Sequence, residues 1–367
     1  MKKILFLIHD LGQGGAEKVL VNLVNHMDPK QFDITVMALF GGGVNEGFLA
    51  PHVRLQVYHK RMIRGNSHLM KLLSPKQLHQ AYIKAQYDIE IAYLEGPCAR
   101  IISGCPDPNT KRICWIHGAQ GTMKRLAAPF RSAQEARRCY RRFHEIVCVS
   151  KGVREDFEGI LDLDKPCTVL YNTVESEKIL QQAAEPWQFE DGTIRLIAVG
   201  SLKPVKGYDR LLRIIKRLHA EGYPIHLYIL GIGPLEKELK AYTVAEGLAD
   251  TVTFLGYDTN PYKYLAKCHL FLCASHAEGF STAATEALIV GTPVCTVEVS
   301  GMKELLGEEN EWGLIAENRE EALYRGIKAL LDDASLLSHY KQQAVLRGKT
   351  FRTEETVKAT EEFLLRV

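Results

Sequence analysis

Long apolar runs are missing from this 367-residue chain: none approaches the about 20 residues a membrane-spanning helix needs. The opening MKKILFLIHD holds a brief apolar run at residues 4–8 that ends at His9 and Asp10. That is too short for a signal peptide and predicts a buried first strand. Cysteine pairs of the CxxC kind are also missing. The nine cysteines, an odd number, are scattered singly, so neither a disulfide framework nor a zinc site is indicated. Several sit in strand-like runs (ICWI, IVCVS, FLCAS), where cysteine behaves as a small hydrophobe, and a reducing cytoplasm is expected. Net charge is nearly absent at +2, and no recognition motif for nucleic acid accompanies it, so a nucleic-acid partner is not expected. Low-complexity tracts and short internal repeats are lacking.

What is present is a globular composition, 46% hydrophobic and 25% charged, at a length that suggests two α/β domains. Apolar β-rich runs fall at 3–8, 33–40, 89–93, 112–116, 145–150 and 168–171. Helical patterns at 15–27, 68–86, 95–103, 124–143 and 151–160 separate them. A second series of strands at 194–199, 226–230, 251–255, 270–274, 294–297 and 314–316 alternates with helices near 207–221, 234–247, 260–267, 281–290 and 317–332. Continuous apolar strands separated by helices predict parallel sheets covered on both faces. The expected fold is α/β: two Rossmann-like doubly wound domains facing across a cleft. Residues 1–180 would form the first, 181–192 (QQAAEPWQFEDG) a linker, and 193–350 the second. Two helices follow at 335–349 and 353–366, the last able to pack back on the first domain. Charge is shared unevenly, +8 over residues 1–172 and −6 over the remainder, so the first half is expected to face something anionic.

Open parallel sheets bind ligands at the carboxyl ends of their strands, so the loops after strands carry the chemistry. After the first strand, Gly12-Gln13-Gly14-Gly15-Ala16-Glu17 opens a helix and lets backbone N–H groups approach a phosphate. Glu17 stands where a dinucleotide fingerprint wants its third glycine, which argues against a nicotinamide cofactor; glycines serving only a tight turn are the competing reading. Gly200-Ser201-Leu202-Lys203-Pro204-Val205-Lys206-Gly207 places two lysines around a proline turn at a helix start, suited to a diphosphate or else simply solvated. In Glu278-Gly279-Phe280-Ser281-Thr282-Ala283-Ala284-Thr285-Glu286, two carboxylates bracket a helix start that Ser281 or Thr282 can cap. Carboxylates gripping hydroxyls beside N–H groups gripping phosphates fit a nucleotide-sugar. Apolar neighbours of Glu286 argue for its burial.

The E-x7-E segment followed by ALIVGTPV resembles the donor motif of the family 4 retaining glycosyltransferases of the GT-B fold. The similarity runs through Gly14-Gly15-Ala16-Glu17, Trp115-Ile116-His117-Gly118, Tyr171-Asn172-Thr173-Val174, Gly200 with Lys206-Gly207, and Gly231-Ile232-Gly233-Pro234 in order, covering nearly the whole chain. The resemblance implies transfer of a sugar from a nucleoside-diphosphate sugar, a UDP-sugar, to a glycan or lipid-linked glycan, without cofactor or metal. Lys206 would hold the diphosphate, Glu286 the ribose, Glu278 and the backbone of Gly279, Phe280 and Ser281 the sugar and phosphates, and His117 the transferred sugar or its phosphate. Gly14, Gly15, Asn172, Ser201, Lys203, Gly231, Gly233 and Thr282 complete the expected donor site. Ser201 stands where the family usually has arginine, and Lys203 is the expected substitute. Asp162-Leu163-Asp164 matches the D-x-D of the other glycosyltransferase fold but lacks its context and reads as solvated acids. A GT-B nucleotide-sugar 2-epimerase and a non-catalytic nucleotide-sugar-binding subunit are the alternatives.

Residues 124–142 (KRLAAPFRSAQEARRCYRR) carry seven basic residues and one acid around an interrupted apolar side, with Pro129 as a break. The sharper reading is a patch for the anionic inner face of the cell membrane, the plainer one a solvated helix.

Overall fold

The apolar runs of the first half become strands because a parallel sheet covered by helices buries both strand faces. In this computed structural model, which describes residues 1–60, 70–161, 167–189 and 192–367, they are β1 (Lys2–Ile8), β2 (Phe32–Phe40), β3 (Arg54–His59), β4 (Ile89–Ala92), β5 (Lys111–Ile116), β6 (Glu145–Cys148) and β7 (Thr168–Val169). All pair in parallel in the order β3-β2-β1-β4-β5-β6-β7. Residues 4–8 of β1 are fully buried, each large apolar side chain contributing about 1.5–3 kcal/mol. β3, which no apolar run marks, is an edge strand whose residues 54–58 are exposed.

The second half forms β8 (Ile194–Val199), β9 (Ile225–Leu230), β10 (Val252–Gly256), β11 (Leu270–Cys273), β12 (Val294–Val297) and β13 (Leu314–Ala316). Their order is β10-β9-β8-β11-β12-β13, again all parallel. Each sheet therefore contains the doubly wound strand order, which reverses between β1 and β4 in one and between β8 and β11 in the other. Ligands of such sheets bind outside the carboxyl ends of the strands at this reversal.

The chain divides into two units, Met1–Thr173 with Glu354–Val367, and Val174–Thr353. The boundary thus differs from the one composition suggested. Residues 176–183 are helical, Ile179 and Ala183 are buried, and Asn260 donates to the Gln182 carbonyl (3.0 Å). Trp187 meets the Tyr228 and Tyr264 rings at 4.8 and 4.9 Å. What reads as polar linker is thus packed onto the second unit through apolar residues spaced too sparsely to form a visible pattern. The helix Thr353–Arg366 belongs to the first unit from Glu354 onward: Phe363 and Leu364 are buried, Lys2 Nζ donates to the Leu364 carbonyl (2.9 Å), and the Asp28 N–H donates to Glu361 (2.6 Å).

The basic segment is two helices, Met123–Leu126 and Ala133–Arg141, broken around Pro129, rather than one. Its apolar residues Leu126, Phe130 and Tyr140 are buried in the unit's own core. Asp162 and Asp164 lie outside the described residues. All nine cysteines are free and buried. No helix among the described residues is long and apolar enough to cross a membrane.

Candidate active site

In the second unit the loop after β8 is laid backbone to backbone along the loop after β9. The Gly200 N–H donates to the Leu230 carbonyl (2.9 Å) and the Leu202 N–H to the Ile232 carbonyl (3.0 Å), extending the ladder past the strands. A Cβ on Gly231 would lie 2.0 Å from the Gly200 oxygen, and one on Gly233 within 2.7 Å of Leu202 backbone. Close approach of two backbones is therefore sufficient reason for both glycines. Lys203 is exposed and precedes the 3-10 turn Pro204–Lys206, and Ser201 is half-buried. Gly207 closes that turn in the left-handed region (φ 63°), where a Cβ would meet the Ala274 oxygen at 2.0 Å. The His276 N–H donates to the Val205 carbonyl (2.7 Å), so the lysine turn is stitched to the end of β11.

This stitching brings Lys206 Nζ within 2.6 Å of Glu278 Oε1, two groups 72 residues apart in sequence. Their side chains are 27% and 11% exposed. The Ser275 hydroxyl donates to the same oxygen at 2.5 Å. Burial favours the neutral lysine, but Glu278 and Cys273 outweigh it, and the Lys206 pKa is raised. The ammonium is thus held charged at the carboxyl end of β8, where an anion can exchange for its carboxylate partner.

The helix Thr282–Ile289 begins under Ser281, whose hydroxyl accepts from the Ala284 N–H (3.3 Å). The capping function falls to Ser281, with Thr282 the first helical residue. Glu286 is 4% exposed and accepts from the Tyr262 hydroxyl (3.2 Å). Phe280 is buried, and the neighbouring Gly279 oxygen would lie 2.5 Å from a Cβ on Gly301, whose φ is 79°.

One residue that sequence reading passed over supports this arrangement from behind. Arg210 is buried and donates to the Ala274 carbonyl (2.8 Å), the Ser275 carbonyl (2.9 Å) and Asn318 Oδ1 (2.9 Å). It satisfies the carbonyls of the turn leading to Glu278. The signal was available: Arg210 lies four residues before Ile214 on the apolar stripe of the helix Tyr208–Ala220.

In the first unit, Gly14 precedes the helix Gly15–His26 in extended conformation without a side-chain cap. The Glu17 carboxylate folds over this start, 1.9 Å from where a Cβ on Gly14 would sit. Asp10 accepts from the Gly12 N–H (2.8 Å) and contacts His9 Nδ1 (2.7 Å). His117 follows β5. Its Nε2 is buried without a hydrogen-bond partner among the described residues, its ring lies 4.7 Å from Tyr93, and burial lowers its pKa to about 3. The imidazole is therefore neutral at ordinary pH, able to bond a hydroxyl but not to act as a cation toward phosphate.

Glu95, after β4, was also passed over. It accepts from the His117 N–H (3.1 Å) and from Gln120 Nε2 (2.9 Å), and burial raises its pKa. The Gln120 and Gly121 N–H groups donate to Asp156, fixing the rest of the loop. An acid at the end of an apolar central strand was the visible sign. Asn172 is half-buried next to Thr173, whose carbonyl accepts from Asn22 (3.3 Å). The structure thus assembles Lys206, Glu278 and the Gly200, Gly231 and Gly233 loops in the second unit, with Glu286 on the following helix. His117, Gly14, Gly15 and Asn172 belong to the first unit.

Residues 181–347 match the glycosyl transferases group 1 family and residues 13–178 match glycosyltransferase family 4. An N-acetylgalactosamine-N,N'-diacetylbacillosaminyl-diphospho-undecaprenol 4-alpha-N-acetylgalactosaminyltransferase of Campylobacter jejuni is 30% identical over all of this chain and all of its own. An uncharacterised glycosyltransferase of Haemophilus influenzae is 24% identical, covering 97% of this chain and 98% of its own. Among solved structures, Anabaena Alr3699/HepE in complex with UDP and glucose superposes with a TM-score of 0.78 at 19% identity, over 100% of both chains. Sucrose-phosphate synthase of Thermosynechococcus elongatus also gives 0.78, at 15% identity over 100% of this chain and 98% of that one. The doubly wound pair of sheets defines the GT-B class, and the chain belongs to the family 4 glycosyltransferases.

Proposed function

We propose that this protein is a retaining glycosyltransferase that moves a sugar from a UDP-sugar to a lipid-linked glycan, with no metal in the reaction. The observation that carries this reading is the Lys206–Glu278 pair at the strand-order reversal of the second sheet. When the sugar–phosphate bond breaks, negative charge grows on the departing diphosphate, and a fixed ammonium is the electrostatic catalyst for that step. An incoming diphosphate draws the ammonium from Glu278, freeing the carboxylate to accept from a sugar hydroxyl. The acceptor oxygen attaches on the face the phosphate leaves, and its proton passes to a phosphate oxygen. Neutral His117 bonds a sugar hydroxyl, Glu286 the ribose hydroxyls, and Ser201, Lys203 and the glycine-loop N–H groups the remaining phosphate oxygens.

The UDP complex of HepE supports the choice of donor, and the Campylobacter relative's diphospho-undecaprenol acceptor supports that of a lipid-linked one. Peripheral attachment to the inner face of the membrane follows from such an acceptor. The buried apolar side of the basic segment leaves attachment to charge, and to the loop beside it: Arg131 donates to the Lys71 and Leu72 carbonyls, presenting Leu72, which is 76% exposed.

Purified protein incubated with a panel of UDP- and GDP-sugars and an undecaprenyl-diphosphate glycan should transfer from a UDP-sugar with the anomeric configuration kept, read by NMR of the product. Transfer should persist in EDTA. Loss in EDTA with recovery on adding magnesium or manganese would show that the diphosphate is neutralised by metal instead. A non-catalytic binding subunit, the alternative that Ser201 in place of the family's arginine leaves open, would bind the donor and give neither transfer nor slow donor hydrolysis.

A further inference from the structure

Behind the first sheet, three side chains from three separate elements meet in the interior. His79 lies on the helix Pro75–Tyr82, Glu90 on β4, and Cys105 in the turn after the helix Pro97–Ile102. They are 6%, 2% and 2% exposed. His79 Nε2 and Glu90 Oε2 are 2.8 Å apart, and one ligand atom from each of the three residues lies within 4.8 Å of the others.

We propose that His79, Glu90 and Cys105 bind a thiophilic divalent cation, zinc by chemistry, as a structural site of the first unit. Imidazole, carboxylate and thiolate are the three ligand types zinc takes, and a neutral imidazole with two anions balances the charge of a divalent ion. Bonds of about 2.0–2.3 Å in tetrahedral array separate ligand atoms by roughly 3.3–3.5 Å, so the His79–Glu90 pair would open by about half an ångström and any pair near the 4.8 Å limit would close by about one. The backbone holds it in register. A Cβ on Gly104 would lie 1.9 Å from the Pro75 oxygen, so the turn carrying Cys105 is pressed against the start of the helix carrying His79. That start is fixed by Ser74 and Gln77, which cap each other's backbone N–H groups. The Cys105 thiol makes a long contact to the Asp107 carbonyl (3.9 Å) and also hydrogen-bonds His79, so it already faces another of the three ligands.

The site takes no part in the proposed transfer, and its test reads metal rather than activity. The full-length protein is stripped by chelator and titrated with cobalt(II) and then zinc(II). One equivalent should bind, with a thiolate-to-cobalt charge-transfer band that zinc bleaches. Cys105→Ser should abolish the band, His79→Gln should weaken zinc affinity at least tenfold, and Cys98→Ser should leave both intact. Each variant is compared with wild type by far-ultraviolet circular dichroism. A wild-type protein that gives no stoichiometric thiolate–cobalt band overturns the proposal, as does a band that survives in folded Cys105→Ser.

Discussion

Lys206 and Glu278 share one hydrogen bond, yet their removal should have different consequences. Lys206→Ala removes the charge that meets the diphosphate and should weaken nucleoside-diphosphate binding at least tenfold, about 1.4 kcal/mol, by calorimetry. Glu278→Ala leaves that charge in place and should mainly lower turnover. Glu286→Ala should weaken donor and free nucleoside diphosphate alike, because its carboxylate is assigned to the ribose. Unchanged affinity in Lys206→Ala, or full activity in both glutamate variants, would place the donor elsewhere. His117 gives a pH prediction of definite sign. Its folded pKa of about 3 lies below the unfolded value near 6.5, so below pH 6.5 the unfolded chain binds a proton the native ring refuses. The contribution is fully present above pH 6.5 and is lost as pH falls toward 3, at about 1.4 kcal/mol per pH unit over most of that window. Urea melts from pH 7 to 4.5 should show a shallower decline for His117→Gln. Equal slopes would mean that the native ring titrates normally.

At the scale of elements, the turn from β11 to the helix Thr282–Ile289 depends on a side chain from another helix. Arg210→Met keeps the volume and removes three donors, leaving the Ala274 and Ser275 carbonyls buried without them. The cost should be roughly 1–3 kcal/mol for each carbonyl left unpaired, read as a lower urea midpoint with unchanged slope. Because the same turn carries Glu278, turnover should fall with stability, whereas a merely structural arginine would lower stability alone. Most strands and helices could be read from the chain, since apolar runs and helical stripes are local signals. The edge strand β3 could not, because its residues 54–58 are exposed and form no apolar run. The helices Ser176–Ala183 and Met302–Leu306 are short, and their few buried residues set no period against polar surroundings. Segment 124–142 does read as basic and apolar in alternation; only packing shows that Leu126, Phe130 and Tyr140 already serve the core.

For the whole molecule, that burial narrows the membrane prediction. With its apolar side committed, the basic segment can attach by charge, so binding should depend on anionic lipid and fall steeply with salt. Wild type should pellet with anionic but not neutral vesicles at low salt, and Arg138→Ala/Arg141→Ala/Arg142→Ala should stay in solution. Leu72→Asp should weaken pelleting several-fold if the exposed loop enters the interface. Wild type that remains in solution with both vesicle types would make these helices ordinary surface.

The two doubly wound sheets, the loops carrying the donor motif and the family are legible in the chain, because strand periodicity, glycine turns and the E-x7-E spacing are all written in neighbouring residues. Tertiary structure decided which of those residues meet. Reversal of strand order sets the loops after β8 and β11 side by side, and so joins Lys206 to Glu278 across 72 residues of chain. It also decided the unit boundary, the Arg210 brace, the Glu95 support beneath His117, and the meeting of His79, Glu90 and Cys105. Each depends on a buried polar group finding its partner on a different element, and the cost of leaving such a group unpaired acts only once the chain has folded.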